Sequence, residues 1–404
     1  MDELSFSLYG THTQFVESIR PLLMEFESKY QTRIQTTELS IEEAWPQLLQ
    51  YVLYGGGPDI ARIGTIWTTS LVSLNALRPF KSNELASLGG ESTFFSPIWQ
   101  SNQLPGDLNV WAIPFTSYNY VLFYRRDLLA SAGIDETEAF SSSEAMSDTL
   151  ARLSASGVQS PWVIPSGEHF RARLHIVASW IWGANGHFLS QDGKQILLNQ
   201  PEALKGLTDF FEMHRSLSLM DHGLSVNECR RRFARGLTAI YIGGPDTMYF
   251  LKDMNPASGV IENVGVAALP GIPWIGGSSL VVWKDVLAYP VKERAVNRLI
   301  SFLTEKNNQI HLFALGKVLP SRPDALAEII LDPPELLEVE KYVLETGRSY
   351  RPYPIWVRIQ NDLIKSLDLI TADFLEDPSA DALSVVRKYI DPLVQRYKLI
   401  LSAM

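Results

Sequence analysis

Seven histidines, one cysteine and 45 acidic residues are the groups in this 404-residue chain that could hold a metal or move a proton. Their spacing argues against both. The histidines are His12, His169, His175, His187, His214, His222 and His311, and none forms an HExxH pair or a Cys/His set with metal-ligand spacing. Gly55-Gly56-Gly57 lacks the lysine of a phosphate cradle and precedes a strand pattern rather than a helix. No Gly-x-Ser-x-Gly elbow occurs; Gly276-Gly277-Ser278-Ser279 runs into a strand. Cys229 stands alone, so no internal disulfide can form. Arg230, Arg231, Arg232 and Arg235 read as the solvated face of a short helix, with an anion site as the alternative. Glu168 and Asp246 are the acids nearest the loops favoured below, and read as acceptors for ligand hydroxyls; the carboxylate pair of a glycosidase is the alternative. No catalytic residue, metal or cofactor is expected.

What remains is a chain that binds, with aromatic and small polar residues at the ends of predicted strands. Leu4, Phe6 and Leu8 alternate with polar residues, which is strand periodicity, and helical spacing follows through Phe15, Ile19, Leu22, Leu23 and Phe26. A second strand (33–37), a second helix (42–53) and a third strand (58–63) complete a β-α-β-α-β alternation, which predicts an α/β fold with a largely parallel sheet. Ligands of such sheets sit at the carboxyl ends of strands, here Tyr9, Thr11 and His12 after the first and Thr65 and Trp67 after the third. Further on, 110–114 reads as a strand ended by proline and 118–124 as another. Helices are expected over 174–182, 202–217, 293–303 and 307–315, and strands over 238–242, 263–269 and 279–283. Trp182 ends an apolar helix, Gly244 and Asp246 lie on a tight turn, and Trp274, Gly276, Gly277 and Ser278 read as a compact loop.

Length predicts more than one domain, since single cores stop growing near roughly 250–300 residues. At 46% hydrophobic and 20% charged the chain is globular, and a net charge of −10 argues against a nucleic-acid partner. No segment has the roughly 18–20 apolar residues of a membrane span. The chain runs from Met1-Asp2-Glu3 into its first strand, which reads as a mature domain behind an added Met.

Several stretches together resemble the extracellular solute-binding proteins of ABC importers, in the carbohydrate-binding group. They are Gly57-Pro58-Asp59-Ile60; Ile113-Pro114, then Leu122 to Leu129; Phe233 to Ile240, running into Gly243-Gly244-Pro245; Ala268-Leu269-Pro270-Gly271, then Gly276-Gly277; Ala295 to Phe302, then Leu315 to Arg322; and Pro352 to Trp356. Each piece is weak alone; their order runs over nearly the whole chain. Two departures stand out: Arg125 where the family has Asn, and Asp246 where an aromatic often follows Gly-Pro.

The resemblance implies a two-lobed periplasmic-binding-protein fold, each lobe a mixed sheet flanked by helices, with ligand held in the cleft by hinge closure. One lobe would hold 1–116 and 272–320 and the other 117–271 and 321–404, with hinge crossings near 114–118, 268–273 and 318–323. It also implies a monomer, extracytoplasmic in the periplasm or lipid-anchored at the cell surface, that delivers its ligand to the permease subunits of an ABC transporter. It adds Tyr118, Arg322, Tyr353 and Trp356 to the candidate site, Trp356 aligning with the family's stacking aromatic. Sugars present apolar C–H faces and a rim of hydroxyls, so a site for them needs aromatic faces and planar polar groups, and ten Trp and fifteen Tyr supply candidates. A mono- to oligosaccharide is therefore the expected ligand. A ligand-sensing domain and a glycoside-active enzyme are the alternatives.

Overall fold

In the computed structural model, residues 2–9, 13–167, 171–217, 223–254 and 256–403 are described. The chain divides into two compact units. The first holds Met1–Tyr118, Ile275–Ile330 and Ser349–Trp356; the second holds Asn119–Trp274, Leu331–Arg348 and Val357–Met404. The chain changes unit at 118/119, 274/275 and 330/331, where the sequence reading placed the changes at 116/117, 271/272 and 320/321. A short return of 349–356 to the first unit has no counterpart in that reading. It is tied there by Ser349 Oγ, which donates to the Ile275 carbonyl at 2.6 Å, and by Thr69 Oγ1, which donates to the Pro352 carbonyl at 2.7 Å.

The first unit opens as its alternation predicts. Strand β1 (Asp2–Tyr9) buries Leu4, Phe6 and Leu8, and the helix Thr13–Tyr30 buries Phe15, Ile19, Leu22 and Phe26. They share one apolar core with Val296, Leu299, Ile300 and Leu303 of the helix Pro290–Thr304. β1 pairs in parallel with β2 (Thr32–Leu39) on one side and β3 (Ile60–Gly64) on the other. Between these two, the helix Ile41–Tyr54 starts at Ser40, whose side chain accepts from the Glu43 amide in a reciprocal capping box.

The sheet is mixed rather than largely parallel. β9 (Ile275–Val282) runs antiparallel to β3, β10 (Leu319–Pro320) antiparallel to β4 (Ile113–Asn119), and the order is β10-β4-β9-β3-β1-β2.

Two expectations change here. Pro114 does not end a strand; it lies inside β4, where a missing N–H is tolerated because β10 is only two residues long and reaches only Thr116 and Ser117. Residues 274–278 are not a compact loop, because Gly276, Gly277 and Ser278 lie in β9.

The second unit has a four-stranded sheet, β6-β7-β5-β8, formed by β5 (Val121–Arg125), β6 (Trp162–Val163), β7 (Ile240–Gly243) and β8 (Val264–Ala268). The single strand expected over 118–124 is two: β4 ends at Asn119 and β5 begins at Val121, in a different sheet. Periodicity alone could not show this break, since both strands are buried on both faces. The helices Arg171–Gly183 and Pro201–Glu212 pack closely because Gly206 carries no side chain; a Cβ there would lie 2.5 Å from Ile181 Cα and from the Trp180 carbonyl. The helix expected to run to Leu217 stops at Glu212 and continues as one tighter turn, Met213–Ser216.

Gly277 is the tightest contact of the first sheet. Its φ is +147°, and a Cβ would fall 1.9 Å from the Thr116 carbonyl oxygen of β4. Gly277→Ala should therefore destabilise the protein by roughly 2–4 kcal/mol, read as a lower urea midpoint at unchanged slope.

Candidate functional site

At the carboxyl ends of β1 and β3 three aromatic rings meet. Tyr9 and Trp67 lie 4.2 Å apart at 51°, and Trp45, from the helix Ile41–Tyr54, lies 5.4 Å from Trp67. Arg62 of β3 holds the end of β1, donating from Nη1 to the Tyr9 carbonyl at 2.5 Å with its guanidinium 4.2 Å from the Phe15 ring. Burial lowers the Arg62 pKa to about 10, and the cation persists at neutral pH. Thr65 and Trp67 are buried in the turn after Gly64, whereas Tyr9 and Trp45 are half-buried. Thr11 and His12 lie outside the described residues.

Thr69, in the helix Thr68–Ser73 that follows this turn, docks the segment that carries Tyr350, Tyr353 and Trp356. Trp356 is 2% exposed, with its ring 4.5 Å from that of Tyr350, and Tyr353 is buried beside it. Trp356 is thus buried against Tyr350 rather than presenting an open ring face. Tyr118, half-buried, ends the first unit's part of β4. Ser278 Oγ is engaged by Thr116 Oγ1 at 2.7 Å, so this side chain and the adjacent glycines serve the packing of β9 on β4. Arg322 makes a two-point ion pair with Asp324, at 2.9 and 2.8 Å, and donates to the Thr304 carbonyl at 3.1 Å.

The second unit carries its own ring set. His175 stacks on Trp274 at 3.8 Å and 11°, and Tyr120 lies 6.0 Å from Trp274. Trp274 is therefore not a loop residue facing solvent; its amide donates to Ser179 Oγ at 3.3 Å and it is bridged to Arg348. The Arg348 guanidinium lies 5.5 Å from the Trp182 ring, whose edge meets Phe188. Gly244 and Asp246 lie on the turn after β7, where the Thr247 amide donates to the Gly244 carbonyl and Arg230 grips Asp246 at 3.0 Å. Sequence reading had passed over Trp45, Tyr120 and Arg348 and had weighed His175 only as a metal ligand; Arg230, read as part of a solvated helix face, is instead buried against Asp246. Tyr120 sat in an apolar strand pattern and Arg230 in a basic run, and neither pattern signals which ring or carboxylate it will meet.

A cavity of ≈ 530 Å³ opens elsewhere, at the amino end of β1, lined by Glu3, Ser5, Gln35, Tyr289 and Lys292 among others. Lys292 is committed there to Asp59 at 3.0 Å, and open α/β sheets take ligands at the opposite, carboxyl ends. Among the described residues no group of three or more His, Cys, Asp or Glu could hold a metal ion, and no helix is long and apolar enough to cross a membrane.

Two α/β units, each on one mixed sheet and joined by repeated chain crossings, define a periplasmic-binding-protein fold. Residues 22–337 match the family described as bacterial extracellular solute-binding protein, and the chain belongs to that family. Its structure is similar to the sugar-binding protein MalE of Xanthomonas citri (TM-score 0.83, 21% identity, 99% of this chain and 98% of that one). It is also similar to maltose-bound MalE3 of T. maritima (TM-score 0.76, 17% identity, 99% and 100%). In sequence it is 25% identical over 271 residues to the sn-glycerol-3-phosphate-binding periplasmic protein UgpB of Shigella dysenteriae, covering 63% of this chain and 59% of that protein. It is 22% identical over 278 residues to the maltodextrin-binding protein MdxE of Bacillus subtilis, covering 67% and 60%. The matches thus span about three-fifths of these relatives.

One buried acid of the second unit gives the protein a pH dependence. Glu340 is fully buried and accepts from Asn119 Nδ2, while its Oε1 has no partner. Burial outweighs the Asn119 bond and pushes its pKa from 4.5 to about 8, so at neutral pH it holds a proton. Below pH 4.5 the folded and unfolded chains both hold that proton and the stability is complete. As pH rises the unfolded chain releases it first, so stability falls until the folded carboxyl ionises near pH 8 and is level above. Glu340→Gln should flatten this fall between pH 5 and 8, measured as urea midpoints across that range.

Proposed function

We propose that this protein captures a sugar, a mono- to oligosaccharide, releases it unaltered, and delivers it to the permease subunits of an ABC transporter from outside the cytoplasm. The observation that carries the reading is the half-exposed ring pair Tyr9 and Trp45 against Trp67, at the carboxyl ends of paired parallel strands. Rings offer the apolar C–H faces of a sugar a flat partner. Maltodextrin, maltose and sugars, named for one relative and two structural neighbours, support the same class, while the other relative is named for sn-glycerol-3-phosphate. Capture by closure about the chain crossings, expected near 114–118, 268–273 and 318–323, belongs to the proposal, as does a monomeric state.

Thermal unfolding against a panel of mono- and disaccharides, with amino acids and polyamines as controls, tests it. A ligand that binds only the folded state raises the midpoint with its saturation. One sugar class should do so, and incubation with that sugar should yield no product. Tyr9→Ala should weaken its binding by roughly 5- to 150-fold, the loss of one stacking face. An unchanged affinity would show that the ring cluster of the first unit is not the binding wall, and a response confined to amino acids or polyamines would overturn the ligand class.

A further inference from the structure

The turn after β7 reads Gly243-Gly244-Pro245-Asp246, and the Asp246 side chain is 24% exposed at the carboxyl end of that strand. Behind it stands Arg230, from the helix Val226–Ala234, with its side chain only 7% exposed. Arg230 Nη2 donates to both carboxylate oxygens at 3.0 Å, and its guanidinium carbon sits 4.1 Å from the centre of the Phe250 ring. A guanidinium cannot shed its charge, so burying one requires a paired anion, and here the anion is Asp246. The pairing also works in the other direction. The carboxylate is held from its buried side, and each oxygen keeps lone pairs for the solvent side. What this turn shows to a ligand is an oriented, acceptor-only group, with the balancing cation out of reach beneath it.

We propose that Arg230 and Asp246 form a charge filter, in which Arg230 positions Asp246 to accept from the hydroxyls of a neutral polyol or sugar and to exclude its phosphate esters. The inference rests on the sugar reading of the site and narrows it. A carboxylate accepts readily from hydroxyl donors, while a phosphate brought to it meets a like charge. Arg230, the arginine of this helix that meets the turn, is spent on Asp246.

The test is calorimetric titration of the intact protein with the neutral sugar found in the unfolding panel and with that sugar's phosphate monoester. The ester should bind at least roughly 10-fold more weakly. Asp246→Asn, which keeps the size and still accepts from Arg230, should weaken the neutral sugar by roughly 10- to 100-fold and narrow the gap between sugar and ester; its ligand-free midpoint falls because Arg230 loses its anion, so the affinities are compared at a temperature where both proteins are fully folded. Arg230→Met should lose sugar affinity in the same direction and Arg230→Lys should restore part of it, which a merely structural role would not produce once the ligand-free midpoints are matched. An ester that binds as tightly as the sugar, or an Asp246→Asn protein with both affinities intact, overturns the filter and leaves the sugar reading standing. Failure of the unsubstituted protein to bind any sugar overturns both.

Discussion

Parallel pairing of β1 with β2 on one side and β3 on the other is the constraint from which the first unit follows. Parallel neighbours cannot be joined by a hairpin, so each connection needs a helix, and the apolar stripe of the helix Thr13–Tyr30 returns over the Leu4, Phe6 and Leu8 face of β1. The same pairing brings the carboxyl ends of β1 and β3 side by side. Tyr9 and the turn after Gly64 are therefore neighbours before any ligand is considered, and Arg62 locks them by donating to the Tyr9 carbonyl. The antiparallel strands β9 and β4 then complete the sheet from distant parts of the chain, which requires a glycine at 277 where β9 lies against the Thr116 carbonyl.

In the second unit, buried polar groups take the organising role. Arg173 is 2% exposed and joins Asp368, Thr371 and the carbonyl of Ser166, so one side chain ties the helix Arg171–Gly183 to the helix Trp356–Glu376 and to the loop after β6. Arg230 ties the helix Val226–Ala234 to the turn after β7. Each such cation would be costly if unpaired, so each restricts where its partner helix or turn can sit. Glu340 solves the same problem differently, by staying protonated against Asn119. These groups lend geometry to the unit rather than net stability.

The sequence by itself determined the opening β-α-β-α-β order, the helical core positions and the family. Those follow from hydrophobic periods of two and 3.6 residues and from short motifs, which are local properties. Tyr9, Thr65 and Trp67 were legible as site candidates for the same reason: they follow strands whose direction the alternation sets. Tertiary structure alone decided the rest. It turned 274–278 from a loop into β9, split 118–124 between two sheets, returned 349–356 to the first unit, and gave Trp67 its partner in Trp45, Trp274 its partner in His175 and Asp246 its partner in Arg230. The physical reason is that a period records which face of an element is buried but not what is buried against it, and a ring or a carboxylate takes its role from the partner that folding brings within a few ångströms.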